Sequence, residues 1–130
     1  MNAAQKEAWF HLTVVVVASA VVAALTPFWG FRALSGWGLL GLIGFSPLFY
    51  RKKPGQVVAD ERDASIRRRS AAIGFGAIWC LFVAEGVAAS LIYGENGFVP
   101  VRVVEVSLWG AFALLYGLMS AATLIQYRRG

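Results

Sequence analysis

A run of charge between two apolar halves constrains this chain more than any other feature. From Arg51 to Ser70 it reads RKKPGQVVADERDASIRRRS and holds seven of the twelve Lys and Arg residues and three of the seven Asp and Glu. The local balance is thus +4 of a formal net charge of +5. The flanking segments are too apolar for water, so the run reads as the cytoplasmic face of a membrane protein. Apolar residues make up 58% of the chain, above the roughly 45–50% of soluble domains. A pI near 9.9 would suggest nucleic acid in a soluble protein. Here positive-inside bias and attraction to anionic headgroups account for it, so the lipid bilayer is the expected partner and nucleic acid is not.

The expectation is an all-α integral membrane protein, a single four-helix transmembrane domain over residues 1–130. The spans are placed at about 8–25, 34–50, 70–93 and 101–127, with the connection at about 51–69 and both termini cytoplasmic (N-in/C-in). The Val-rich first segment would read as strand in water, but a lone strand in hydrocarbon cannot satisfy its backbone and a helix can. The apolar stretch Trp9–Leu25 is too long for an ordinary signal-peptide core, and no Ala-x-Ala site with a hydrophilic chain follows it, so it reads as a retained helix ended by Thr26 and Pro27. In the second span Gly36, Gly38, Gly41, Gly44 and Pro47 lower helicity and invite a kink, with a re-entrant segment as the alternative. Gly38, Gly41 and Gly44 recur every three residues and would form a smooth stripe for close helix contact.

The third helix has a polar prelude. Asp60 can cap it, Glu61 and Asp63 suit its first turn, and Asp63 and Arg67 stand four apart on one face. Such a helix begins near Glu61, extends from the cytoplasm and continues to about Tyr93. A turn at Gly94–Gly97 and Pro100 introduce the fourth helix, in which Ala113, Gly117 and Ala121 make a small-xxx-small line.

Two carboxylates fall inside spans, Glu85 and Glu105, and an ionisable group at membrane depth is a functional hypothesis by default. Placed at similar depth on antiparallel neighbours, they could share a proton, hold a cation, or pair with Arg102. The plainer reading is that Arg102 and Glu105 snorkel to the outer interface and Glu85 makes one interhelical hydrogen bond. His11, the single histidine, reads as interfacial rather than as a ligand. Cys80, the single cysteine, reads as a core packer rather than a reactive thiol. No catalytic residue, cofactor-binding residue or metal set emerges. Arg67, Arg68 and Arg69 fix topology, with anionic lipid or partner contact as the further reading.

The pattern D-E-R-D-x-x-I, given by Asp60, Glu61, Arg62, Asp63 and Ile66 ahead of a small-residue-rich helix, resembles a family of small uncharacterised prokaryotic membrane proteins with a D-E-R-[DE]-x-x-I connection. The resemblance implies a cytoplasmic motif at the start of the third span and carries no catalytic residue. The chain is unlike the small multidrug transporters, whose essential glutamate is in the first helix.

Two functions follow as expectations. One is a non-enzymatic accessory or regulatory protein of the prokaryotic cytoplasmic (inner) membrane, acting through helix packing and the charged motif as a homo-oligomer or within a larger complex. The alternative is a small ion-coupled transporter or channel component centred on Glu85. A membrane enzyme or haem protein comes third.

Overall fold

The computed structural model describes residues 1–50, 61–94 and 97–129. Asp60 and the basic residues Arg51, Lys52 and Lys53 of the connection, with Glu95 and Asn96 of the expected turn, lie outside the described residues. The described chain is helical in order: α1 (Ala3–Trp29), a 3-10 segment (Gly30–Tyr50), α2 (Glu61–Tyr93) and α3 (Val101–Arg129).

The start of α1 is written in its first residues. Asn2 accepts the amide of Gln5 at 2.9 Å while the Gln5 side chain accepts the amide of Asn2 at 3.1 Å, a reciprocal cap that satisfies two otherwise free donors. The helix passes through Thr26 and Pro27 and stops at Gly30, three residues beyond the expected proline break. Pro27 removes one amide donor, whereas Gly30 takes φ 54°, which no side chain favours.

From Gly30 the winding tightens and the chain packs back along α1. Twenty-one residues of 3-10 helix are far beyond the usual three or four. The composition explains the departure from α-helix, since four glycines between 36 and 44 and Pro47 all weaken α-helical hydrogen bonding or propensity. At three residues per turn, every third side chain stands in one column. Leu34, Trp37, Leu40 and Ile43 form the inward column, and Leu40 and Ile43 close a core with Val14 and Ala18 of α1. At the far end Phe49 meets Phe10, ring centroids 5.3 Å apart. Gly38, Gly41 and Gly44 form another column with open space in front of each, so the expected contact stripe touches nothing within 4 Å.

Three helices among the described residues are long and apolar enough to cross a bilayer: Ala3–Phe49, Glu61–Tyr93 and Val101–Arg129. The expected four transmembrane helices are thereby corrected to three. α1 and the segment at 34–50 are parted by the reversal at Gly30 and together make one of the three candidate spans; the segment is 3-10 and not a separate α-helix.

The middle layer is α3, which packs on α1 along one side and on α2 along the other. Small residues permit both approaches. Gly117 faces Val15 at 3.7 Å from where a Cβ would stand, and Ala113 joins the α1 core. On the other side Gly74 of α2 lies against Leu115 and Met119. Beyond Gly74 the apolar side chains of α2, Phe75, Trp79, Val83 and Val87 among them, point outward, as suits lipid contact. Cys80 is exposed with them rather than packed in the core.

The column geometry makes a direct prediction. Leu40→Ala should destabilise the protein by about 2 kcal/mol through the cavity it leaves, whereas Gly41→Ala, facing open space, should be neutral or stabilising by up to about 1 kcal/mol. Thermal unfolding of the two variants in one detergent is the measurement; equal losses would contradict the 3-10 columns.

Candidate functional site

The start of α1, the start of α2 and the end of α3 converge. Asp63, in the first turn of α2, is the meeting point. Its Oδ1 accepts the Asn2 side-chain amide at 2.8 Å and the Tyr127 hydroxyl. Asn2 therefore caps its own helix with its oxygen and reaches α2 with its nitrogen. Two helical turns further along α2, the Gln126 amide donates to Ser70 Oγ at 3.0 Å.

The spacing of α2 produces this convergence. Asp63, Ile66, Ser70 and Gly74 follow one another at three and four residues and share a face. Ile66 and Ser70 are buried, at 6% and 1% exposure, while Glu61, Arg62, Arg68 and Arg69 are exposed. The charged motif is thus two-sided: Asp63 and Ile66 bind the helix to its neighbours, and Glu61 and Arg62 face outward.

Behind Asp63 lies a cavity of ≈ 80 Å³ bounded by all three α-helices. α1 contributes Ala4, Glu7, Ala8 and His11; α2 contributes Asp63, Ile66, Arg67 and Ser70; α3 contributes Met119, Ser120, Thr123 and Tyr127. Two polar atoms at this cavity, His11 Nε2 and Ser120 Oγ, are buried without a hydrogen-bond partner. The His11 ring is held edge-on to Tyr116 at 5.4 Å and lies 6.0 Å from Phe10. Carboxylates, an imidazole and hydroxyls that can accept hydrogen bonds, with a guanidinium that donates them, can together bind water or a small ion and can pass protons.

The sequence-derived polar positions separate in space. Glu85 is half-buried in the interior of α2, and Glu105 and Arg102 are exposed on α3. Among the described residues no hydrogen bond or ion pair joins Glu85 to Glu105 or Glu105 to Arg102; the Arg102 guanidinium lies 5.1 Å over the Phe31 ring instead. Of the arginine cluster, Arg67 borders the cavity, and Arg68 and Arg69 border a shallow outer groove with Glu61. Sequence reasoning missed Asn2, Ser70, Ser120, Gln126 and Tyr127. The Asn2-x-x-Gln5 spacing was available as a capping signal, and Ser70 lies on the Asp63–Ile66 face; Ser120 and Tyr127 carry no local signal.

Comparison with known proteins agrees with this membrane architecture. Residues 6–129 match a family described as predicted membrane protein, DUF2178. The chain belongs to the DUF2178 family. No curated protein and no solved structure matches it. The family description specifies neither a reaction nor a ligand, so the chemistry of this DUF2178 protein rests on its own side chains. Among the described residues, no group of three or more His, Cys, Asp or Glu is placed to hold a metal ion.

Proposed function

We propose that this DUF2178 protein is a small ion-coupled transporter or channel component, non-enzymatic, that works as a homo-oligomer or in a larger complex of the prokaryotic cytoplasmic (inner) membrane. The observation that carries the reading is the cavity among three membrane-length helices, with Glu7, His11, Asp63 and Arg67 on its walls. Ionisable groups are rare in such helices and cluster where ions or protons are handled. Glu85, half-buried further along α2, is a third carboxylate for the same task.

Sidedness follows from charge. Lys6, Arg62, Arg67, Arg68, Arg69, Arg128 and Arg129 lie on the first turns of α1, the first turns of α2 and the last turn of α3. Arg32 and Arg102 stand at the other ends of their elements. Positive-inside bias supports a cytoplasmic position for the end of the bundle that holds the cavity.

Reconstitution into liposomes with an ion-sensitive dye tests the proposal. Ion flux above that of empty liposomes is expected, with Glu85→Gln lowering it about tenfold or more; flux indifferent to that change removes Glu85 from the pathway, and no flux at all removes the function.

The outward half of the motif supports a second reading, an accessory or regulatory protein. Glu61, exposed beside Arg62, Arg68 and Arg69, adds a negative charge that neither bundle packing nor orientation requires. Intact-complex mass measurement from native membrane would show a bound partner under this reading, lost on charge reversal at Arg68 and Arg69.

A further inference from the structure

Ser120 lies on the inner face of α3 at 2% exposure, and among the described residues its hydroxyl has no partner. Across the same cavity, on α1, His11 Nε2 is also buried and unpaired. Buried polar atoms without partners are uncommon because they forfeit the hydrogen bonds that water gave them. The cavity of ≈ 80 Å³ that both residues line is polar and has room for water.

The walls then decide what such water is for. Glu7 is one turn before His11 on α1, Asp63 and Arg67 face the cavity from α2, and Tyr127 faces it from α3. Tyr116, also on α3, meets the imidazole edge-on. The 3-10 segment contributes no titratable group to the cavity among the described residues. Imidazole and carboxylate both gain and lose protons, and Arg67 in the wall opposes a compact metal cation more than a charge spread over imidazole, water and carboxylate.

We propose that this cavity is a hydrated proton-binding site. His11 Nε2 takes the excess proton of a hydronium ion held by Ser120, becoming imidazolium and leaving a neutral water, and returns the proton through that water to the Glu7 carboxylate, which becomes the neutral acid. Only N–H and O–H bonds form and break, and the proton is the sole species transferred. The assignment rests on the ion-coupled reading and names the proton as its ion.

His11 is the only histidine, so ¹⁵N-histidine labelling of the full chain in lipid nanodiscs gives one pair of ring signals. Titration from about pH 4 to 9 is expected to show one protonation step, with magnetisation exchange from Nε2 to water. Ser120→Val fills the space and removes the hydroxyl. It should abolish the water exchange and shift the midpoint. Ser120→Ala leaves the space open and should move the midpoint by less than about half a unit. Glu7→Gln removes a facing negative charge and should lower the midpoint; it carries the test alone if Ser120→Val does not fold. A histidine that does not titrate, or whose midpoint is the same in wild type, Ser120→Val and Glu7→Gln, overturns the site. Proton flux through liposomes with a silent His11 overturns the site but leaves the transport reading standing. A titrating, water-coupled His11 in a protein that passes no ions supports the site and overturns the transport reading.

Discussion

Replacing Gly74 by leucine is expected to separate α2 from α3 and destabilise the protein by about 3 kcal/mol, the upper range for overpacking a close contact. A Cβ at this position would stand 2.5 Å from Met119 Cγ, 3.0 Å from Leu115 Cδ1 and 3.2 Å from the Leu115 carbonyl oxygen. Met119 is unbranched and can swing aside, but the Leu115 carbonyl is backbone and cannot. Gly74→Ala should therefore already be harmful, by about 1 kcal/mol, and leucine more so. In a bilayer the contact has no hydrophobic drive to restore it, since lipid tails are as apolar as the partner helix and close packing is what holds the helices. Gly76, two residues on, faces open space, so Gly76→Leu serves as the control. Chemical unfolding in detergent, followed by circular dichroism, should show a large loss for Gly74→Leu and little for Gly76→Leu. Equal effects would mean that α2 does not lie on α3 through Gly74.

Asp63→Ala should have the second largest effect, a loss of about 2–3 kcal/mol, the range for hydrogen bonds to a charged group left unmade. Part of that range is discounted because Asp63 is only half-buried. The carboxylate receives the Asn2 amide and the Tyr127 hydroxyl, so its removal releases α1 and α3 together. Hydrogen exchange should quicken in the first turn of α1 and the last turn of α3 while the interior of α2 stays protected. Asp63→Asn keeps one acceptor oxygen and should recover part of the loss. Glu61→Ala, two residues earlier and exposed, should stay within about 0.5 kcal/mol. If Glu61 proves as sensitive as Asp63, the motif acts through its outer face.

Membrane residence and helical structure were legible from the alternation of long apolar stretches with basic connections, because length and hydropathy are local properties of the sequence. The number of membrane-length helices was not. A Pro after a Val-rich run reads as a stop, yet Pro27 is tolerated near a helix end and the chain stays α-helical through Trp29. The winding of residues 30–50 was half visible. The three-residue recurrence of glycine was noticed, but Leu34, Trp37, Leu40 and Ile43 recur at the same interval, and that second series is what distinguishes a 3-10 column from an α-helical stripe. In an α-helix Leu34 and Ile43 would lie about 180° apart; both are buried here.

The candidate site was legible only where it is local. Asp63 and Ile66 stood out by spacing on one helix. Asn2 and Tyr127 reach Asp63 across separations of 61 and 64 residues, and Ser120 is one serine in an apolar helix until His11 of α1 faces the same cavity. Such groups acquire meaning from tertiary contact, which no window of sequence displays.

The straight columns of the 3-10 segment also limit how it can associate with α1. Val14, Ala18 and Val22 of α1 form a row that slants about 26° to that helix's axis, whereas a three-per-turn column runs parallel to its own axis. Two α-helices can match their drifting stripes by supercoiling and so remain in register over any length. A straight column against a slanted row has no such solution. The two elements make one finite contact between the Gly36–Val22 and Phe49–Phe10 ends, and it cannot be extended by repetition: this pairing is a closed joint rather than a segment of a coil.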